Sequence, residues 1–184
     1  MNVVHFPARR GGKTAAAELV PGSPTKRTWQ GIEADHPPCL ATDYPALLAM
    51  AQAMLDTRRK RFPRLVAQGS MAADEAAAQI ATFEAIVADW RWIADGEGAQ
   101  APHASIWDRR DALDASIATI AGLAREQGGF DTALAHQAHC VIALRWHLEP
   151  QVNLRTHHLA RLTHQLRREA AARRAATAEN AHAS

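Results

Sequence analysis

The chain is short of several residue types, and each shortage excludes a class of protein. Of its 184 residues only two are cysteines, Cys39 and Cys140. They lie about a hundred positions apart with no metal-type spacing, so a disulfide-framed module is excluded and reduced thiols, as in a cytosolic protein, are expected. No stretch approaches the roughly eighteen consecutive apolar residues of a membrane-spanning helix. The start, Met1 to Gly12, places Arg9 and Arg10 after a very short apolar patch, the reverse of a secretory signal, so a cytoplasmic location and no membrane partner are expected. Aromatic residues are scarce at 5%, with a single tyrosine, while alanine supplies much of the 47% hydrophobic content. That balance favours closely packed helices over sheets.

Apolar periodicity is what the chain has instead. Leu47, Leu48, Ala51, Met54, Leu55, Phe62, Leu65 and Val66 recur every three or four positions, and after Gly69 a second stripe follows in Ala76, Ile80, Phe83, Ile86, Val87, Trp90 and Ile93. At about 100° per residue each is one helical face, and two such faces joined by a short loop bury each other. Asp43 or Thr42 caps the first helix, Pro45 fits its first turn, and Gly69 suits its end; Pro63 inside it predicts a kink or break near Arg59 to Phe62. Beyond Gly96, Ser105 and Asp108 form a capping-box pattern for a third helix carrying Leu113, Ile117, Ile120 and Ala124. A fourth carries Leu134, Ala138, Val141, Ile142 and Leu148 and ends at Pro150; a fifth starts near Val152 with Leu159, Leu162, Leu166 and Ala170 on one side.

The expected architecture is therefore all-α: a helical hairpin over residues 44–96 packed on a three-helix portion over 97–175, with a frayed tail over 176–184. Residues 1–43 hold five of the nine prolines and four glycines, which predicts a largely disordered arm without a core strand. Trp29 and Ile32 are its candidate anchors on the helical body.

The net charge of +2 is unevenly spread. Arg58, Arg59, Lys60, Arg61 and Arg64 crowd the end of the first helix, and residues 151 onward carry six arginines against two glutamates. Arg58, Arg59, Lys60, Arg64, Arg161 and Arg168 are the candidate partner-binding residues, toward nucleic acid or an acidic protein surface. Charge balance within the molecule explains the first cluster equally well. By the helical wheel Arg58 falls inside the apolar stripe, where its stem packs and its guanidinium reaches the rim. The pairs Arg109 and Arg110, Asp111 and Asp114 read as a solvated charged face on the third helix.

Six of the ten histidines lie between residues 136 and 164. His136, Cys140 and His147 fall within about 40° of one another on the fourth helix, and His157 or His158 reaching back across Pro150 completes a metal-ligand set as an alternative reading. That stripe lies opposite Leu134, Val141 and Leu148, which predicts that it faces solvent unless another element covers it. Gly11-Gly12-Lys13-Thr14 resembles the end of a phosphate-binding loop but lacks the earlier glycine, where Pro7 stands. No serine elbow or catalytic Cys-His pairing occurs, and nothing calls for a cofactor. Trp92 and Trp146 lie off their helices' stripes, which predicts packing against a further helix.

The segment Arg59-Lys60-Arg61-Phe62-Pro63-Arg64-Leu65-Val66-Ala67-Gln68-Gly69-Ser70-Met71, continuing through Ile80 and Glu84-Ala85-Ile86-Val87 to Trp90, resembles an element of small phage and prophage helical proteins of unassigned activity. The resemblance spans about residues 47–92 and departs from the pattern at Ala72, where a Ser or Thr cap is usual. It implies a phage-derived or mobile-element origin and does not imply an enzyme; with the basic clusters, the leading expectation is a non-enzymatic accessory protein of phage type that binds a macromolecular partner. A structural, self-associating subunit, with a possible homodimer, is a further expectation.

Overall fold

The computed structural model describes residues 25–98 and 104–182. The expected helical body is present: α1 (Tyr44–Ala67), α2 (Ala73–Asp95), α3 (Ile106–Glu126), α4 (Thr132–Trp146) and α5 (Pro150–His182). The helix ends follow local chemistry. Asp43 Oδ1 accepts the Ala46 N–H at 3.1 Å, and the end of α1 closes in a Schellman turn, with the Ser70 N–H on the Leu65 carbonyl and the Gly69 N–H on that of Val66. Ser105 and Asp108 form a reciprocal capping box on α3. The N-cap of α2 is Ala72, without a side-chain bond. Of the kink or break predicted near Pro63, the break does not occur; α1 is continuous through it.

Helices α1 to α4 pack in cyclic order, α1 on α2, α2 on α3, α3 on α4 and α4 on α1. Leu47, Ala51 and Leu55, Phe83, Ile86 and Trp90, Leu113 and Ile117, and Val141, Ile142 and Leu144 meet in the middle. Burying a side chain of this size is worth about 1.5–3 kcal/mol, so the apolar stripes dominate the stability of the body. α5 lies outside the ring against α2.

Four expectations need correction. First, residues 25–36, placed in the disordered arm, form an antiparallel hairpin of β1 (Thr25–Trp29) and β2 (Ile32–His36), with Trp29 paired to Ile32. Trp29, Ile32 and Ala34 join the core, so two strands do contribute to it, through the very residues expected as anchors. Residues 1–24, with the Gly11–Thr14 pattern, lie outside the described residues.

Second, the stripe of α4 expected to face solvent is largely covered. Cys140 and His147 are buried and only His136 is exposed, because the segment between β2 and α1 runs along this face: Cys39 Sγ lies 3.2 Å from His139 Nδ1, and His147 donates to the Ala41 carbonyl at 2.7 Å. Third, α5 is turned the other way from its expected amphipathic orientation. Thr156, Ala160 and His164 are buried against the body, and Leu154, Leu159, Leu162 and Leu166 are exposed. The helix also continues to His182, past the end expected near Ala175.

Fourth, the charged face of α3 is not solvated throughout. Arg109 is buried on Asp89 at 2.8 Å, and Asp114 receives the buried Arg145 at 2.9 Å. Trp92, as expected, packs on a further helix, its ring stacked on His157 of α5 at 5.7 Å between centroids.

Candidate functional site

A groove of about 1240 Å³ opens between α1, α2 and α3 and reaches the first turns of α4. Its walls are small and adaptable: Ala53, Ala78, Ala81, Ala112, Ala115 and Ala133, with Met50 and Met54. Phe83 forms part of its floor, and the Arg58 guanidinium sits 3.4 Å above the centre of that ring. Arg58 is there because position 58 falls in the apolar stripe of α1. The wheel predicted as much, and the head group lies at the groove wall over the Phe83 ring. It donates to the Met54 carbonyl and the Ser116 hydroxyl, both at 3.0 Å, while its buried Nε has no hydrogen-bond partner.

All of these acceptors are neutral. Burial pushes the Arg58 guanidinium down to about 10, with no carboxylate opposing that effect. The group still carries its proton at neutral pH, so a positive charge is held in a half-buried groove and balanced only by a ring face and two neutral oxygens. Arg61 lines the same end of the groove, and Asp108 and Asp111 line it from α3.

The remaining candidate basic residues scatter. Arg59 pairs with Glu84 at 2.7 Å, both half exposed; Lys60 and Arg64 are exposed on other faces of α1. Arg168 is exposed on α5, and Arg161 lines a second, smaller cavity with His157, His158, Asp89 and Arg109.

This second cavity, of about 510 Å³, contains a connected group of buried polar side chains. His157 Nδ1 donates to the Asn153 carbonyl and its Nε2 to Asp89 Oδ1, each at 2.8 Å, while Asp89 Oδ2 receives Arg109 at 2.8 Å. Both partners of the ring are acceptors, so both nitrogens carry protons. Burial opposes that charge, but the Asp89 hydrogen bond and charge and the Asn153 carbonyl outweigh it and raise the His157 pKa. An imidazolium locked on two acceptors has no lone pair to act as a base. The sequence reading passed over Asp89 and took Arg109 for part of a solvated face, though an acid among Ile86, Val87, Trp90 and Ile93 is a legible sign of a buried ion pair.

The proposed metal ligands do not assemble. His136 Nε2 and Cys140 Sγ approach to 3.5 Å, but burial, with Asp43 and Cys39 nearby, pushes the Cys140 thiol up to about 11, away from the thiolate a metal requires. His147 is occupied: its Nε2–H donates to Ala41 and its Nδ1 accepts from the Thr156 hydroxyl at 2.8 Å. His157 is held by Asp89. Among the described residues no group of three or more His, Cys, Asp or Glu side chains is arranged to hold a metal ion.

Known proteins offer no match. Neither a protein-family model, nor a curated protein, nor a solved structure is significantly similar to the chain. The geometry of the groove and of α5 is therefore what bears on function. No described helix is long and apolar enough to cross a membrane.

Proposed function

We propose that this chain is a non-enzymatic interaction protein whose groove receives an acidic, helix-forming segment of a partner protein. The observation that carries the proposal is the Arg58 charge, held in the groove without a carboxylate. A half-buried cation of this kind is destabilising in the unliganded chain, and an incoming carboxylate makes with it the paired, charge-assisted contact that guanidinium geometry favours. Alanine walls admit a close helix backbone, and methionines adapt to the side chains they meet. At a diameter near 10 Å and a rise of 1.5 Å per residue, the groove volume of about 1240 Å³ corresponds to roughly ten helical residues. Arg58 and Arg61 on one side and Asp108 and Asp111 on the other give the site a polarity that fixes the direction of the guest. A phage-type accessory role, implied by the resemblance of residues 47–92, is consistent with a small adaptor of this kind.

The test uses two synthetic amphipathic peptides, one of leucine and glutamate and one of leucine and lysine, in fluorescence anisotropy against the full chain. The acidic peptide is expected to bind and the basic one not. Arg58→Met, which keeps the stem and removes the charge, is expected to weaken the acidic peptide roughly 10- to 100-fold, the ~1.5–3 kcal/mol of a charged hydrogen bond. Equal affinity for the two peptides, or indifference to Arg58→Met, would falsify the proposal. A salt-sensitive shift with duplex DNA that persists in Arg58→Met instead favours nucleic acid as the partner, held by exposed Lys60 and Arg64.

A further inference from the structure

α5 presents to solvent what an amphipathic helix ordinarily buries. Leu154, Leu159, Leu162 and Leu166 are 73%, 44%, 42% and 60% exposed, while Thr156, Ala160 and His164 face the body. The inward orientation is fixed by specific bonds. His164 Nε2 donates to the Trp92 carbonyl at 2.8 Å, His157 is held by Asp89, and Thr156 donates to His147. The leucine ridge is thus left outward by a helix that cannot roll over. Leu159, Leu162 and Leu166, spaced by three and four residues, lie within about 60° of one another, and the centre of that ridge stands roughly 125° round the helix from the centre of the inward residues.

We infer that this ridge is a homodimer interface, in which α5 packs antiparallel on α5 of a second copy about a two-fold axis near Leu162. Charge complementarity selects both the occupant and the direction. Arg155 and Glu169 each stand seven residues from Leu162, on either side. Seven residues are about 20° short of two full turns, so both lie on the ridge face. An antiparallel pairing centred on Leu162 places Arg155 of each copy opposite Glu169 of the other, giving two equivalent ion pairs that flank the leucines. A parallel pairing sets Arg155 against Arg155 and Glu169 against Glu169, which repels. The same axis sets Leu154 opposite the small Ala170, each eight residues from Leu162. Such an isologous contact is self-complementary and closes at two copies. The second copy approaches a face of α5 turned away from the body, so the groove at Arg58 is left open.

Sedimentation equilibrium of the full chain tests this, and the result expected is a concentration-dependent monomer–dimer transition. Leu162→Arg is expected to abolish the dimer while leaving the far-ultraviolet circular dichroism unchanged, since the position is exposed. Arg155→Glu is expected to weaken dimerisation about tenfold and the double variant Arg155→Glu, Glu169→Arg to restore it, because the exchange rebuilds both pairs. In a Cys39→Ser background, Leu162→Cys is expected to cross-link to itself on oxidation. A chain that stays monomeric at every concentration overturns the inference, as does a dimer indifferent to Leu162→Arg or a charge exchange that fails to restore association. Peptide binding in the groove is measured separately, and none of these outcomes bears on it.

Discussion

At the scale of single residues, two histidines less than a dozen positions apart are driven in opposite directions by what surrounds them. Burial pushes His147 down to about 4, against the opposing bond to Ala41, and the neighbouring His157 charge adds to the effect. His157 is raised by Asp89 and Asn153 despite its burial. The folded state holds His147 neutral, so between the unfolded value of 6.5 and about 4 the unfolded chain binds more protons. Stability from His147 is therefore present above pH 6.5 and is lost as the pH falls toward 4, by roughly 2–3 kcal/mol. His157 behaves conversely: its contribution is complete below 6.5 and is lost as the pH rises through its raised folded value. Urea unfolding followed against pH should give a maximum near the histidine range. His147→Gln should flatten the acid side and His157→Gln the alkaline side; an acid slope that survives His147→Gln assigns it to another group. Sequence alone showed that histidines cluster here. It did not show their charge states, because these are set by Ala41, Asp89 and Asn153, which arrive from distant segments or one helical turn away.

At the scale of elements, what was legible and what was not divides along one line. Caps, stops and shared faces are local, so the roles of Asp43, Ser105 with Asp108, Gly69 and Gly96 are legible in the sequence. Which way a face points is not local. Periodicity places Leu159, Leu162 and Leu166 on one side of α5, but His164 and Thr156 find buried partners on the other side, and a bonded polar face is as good an inner surface as an apolar one. The junction of α2 and α5 gives a direct check. Gly96 ends α2 with φ +78°, and a Cβ there would come within 3.0 Å of His164 Nδ1, whereas at Gly69, with φ +68°, nothing lies within 4 Å. Gly69→Ala should cost about 1 kcal/mol for its left-handed backbone alone. Gly96→Ala should cost more, roughly 2 kcal/mol, because the His164 ring is displaced. In a His164→Ala background the two glycine substitutions should become equal in thermal unfolding. If they are already equal in the parent chain, α5 does not seat against the end of α2 as described.

At the scale of the whole molecule, two mistaken expectations share one cause. The arm was expected to be largely disordered because of its prolines and glycines, and the histidine stripe of α4 to face solvent unless another element covered it. Part of that arm is the cover. Trp29, Ile32 and Ala34 seat the hairpin in the core, Arg27 stands 3.9 Å over the Trp29 ring, and Arg145 lies over it at 5.6 Å. Arg27, Arg110 and Arg145 converge on Glu149 at 3.5, 3.7 and 2.9 Å, tying β1 and α3 to the end of α4. Burial raises the Glu149 pKa, but the three arginines outweigh it and leave it lowered. Residues 39–41, which follow the hairpin, then lie along the face of α4 that contains Cys140. The hairpin thus covers a ring of four helices that also pack on one another, and Trp29 is its largest buried side chain. In a Cys39→Ser chain, Cys140 should react with a thiol reagent only slowly. Trp29→Ala, which removes a buried side chain worth roughly 3–5 kcal/mol, should detach the hairpin and speed that reaction by more than about tenfold. Helical circular dichroism should persist, because α1 to α4 still bury one another. Loss of the helical signal in step with labelling instead makes hairpin and helices one cooperative unit. Fast labelling of Cys140 in the parent chain overturns the covering role altogether.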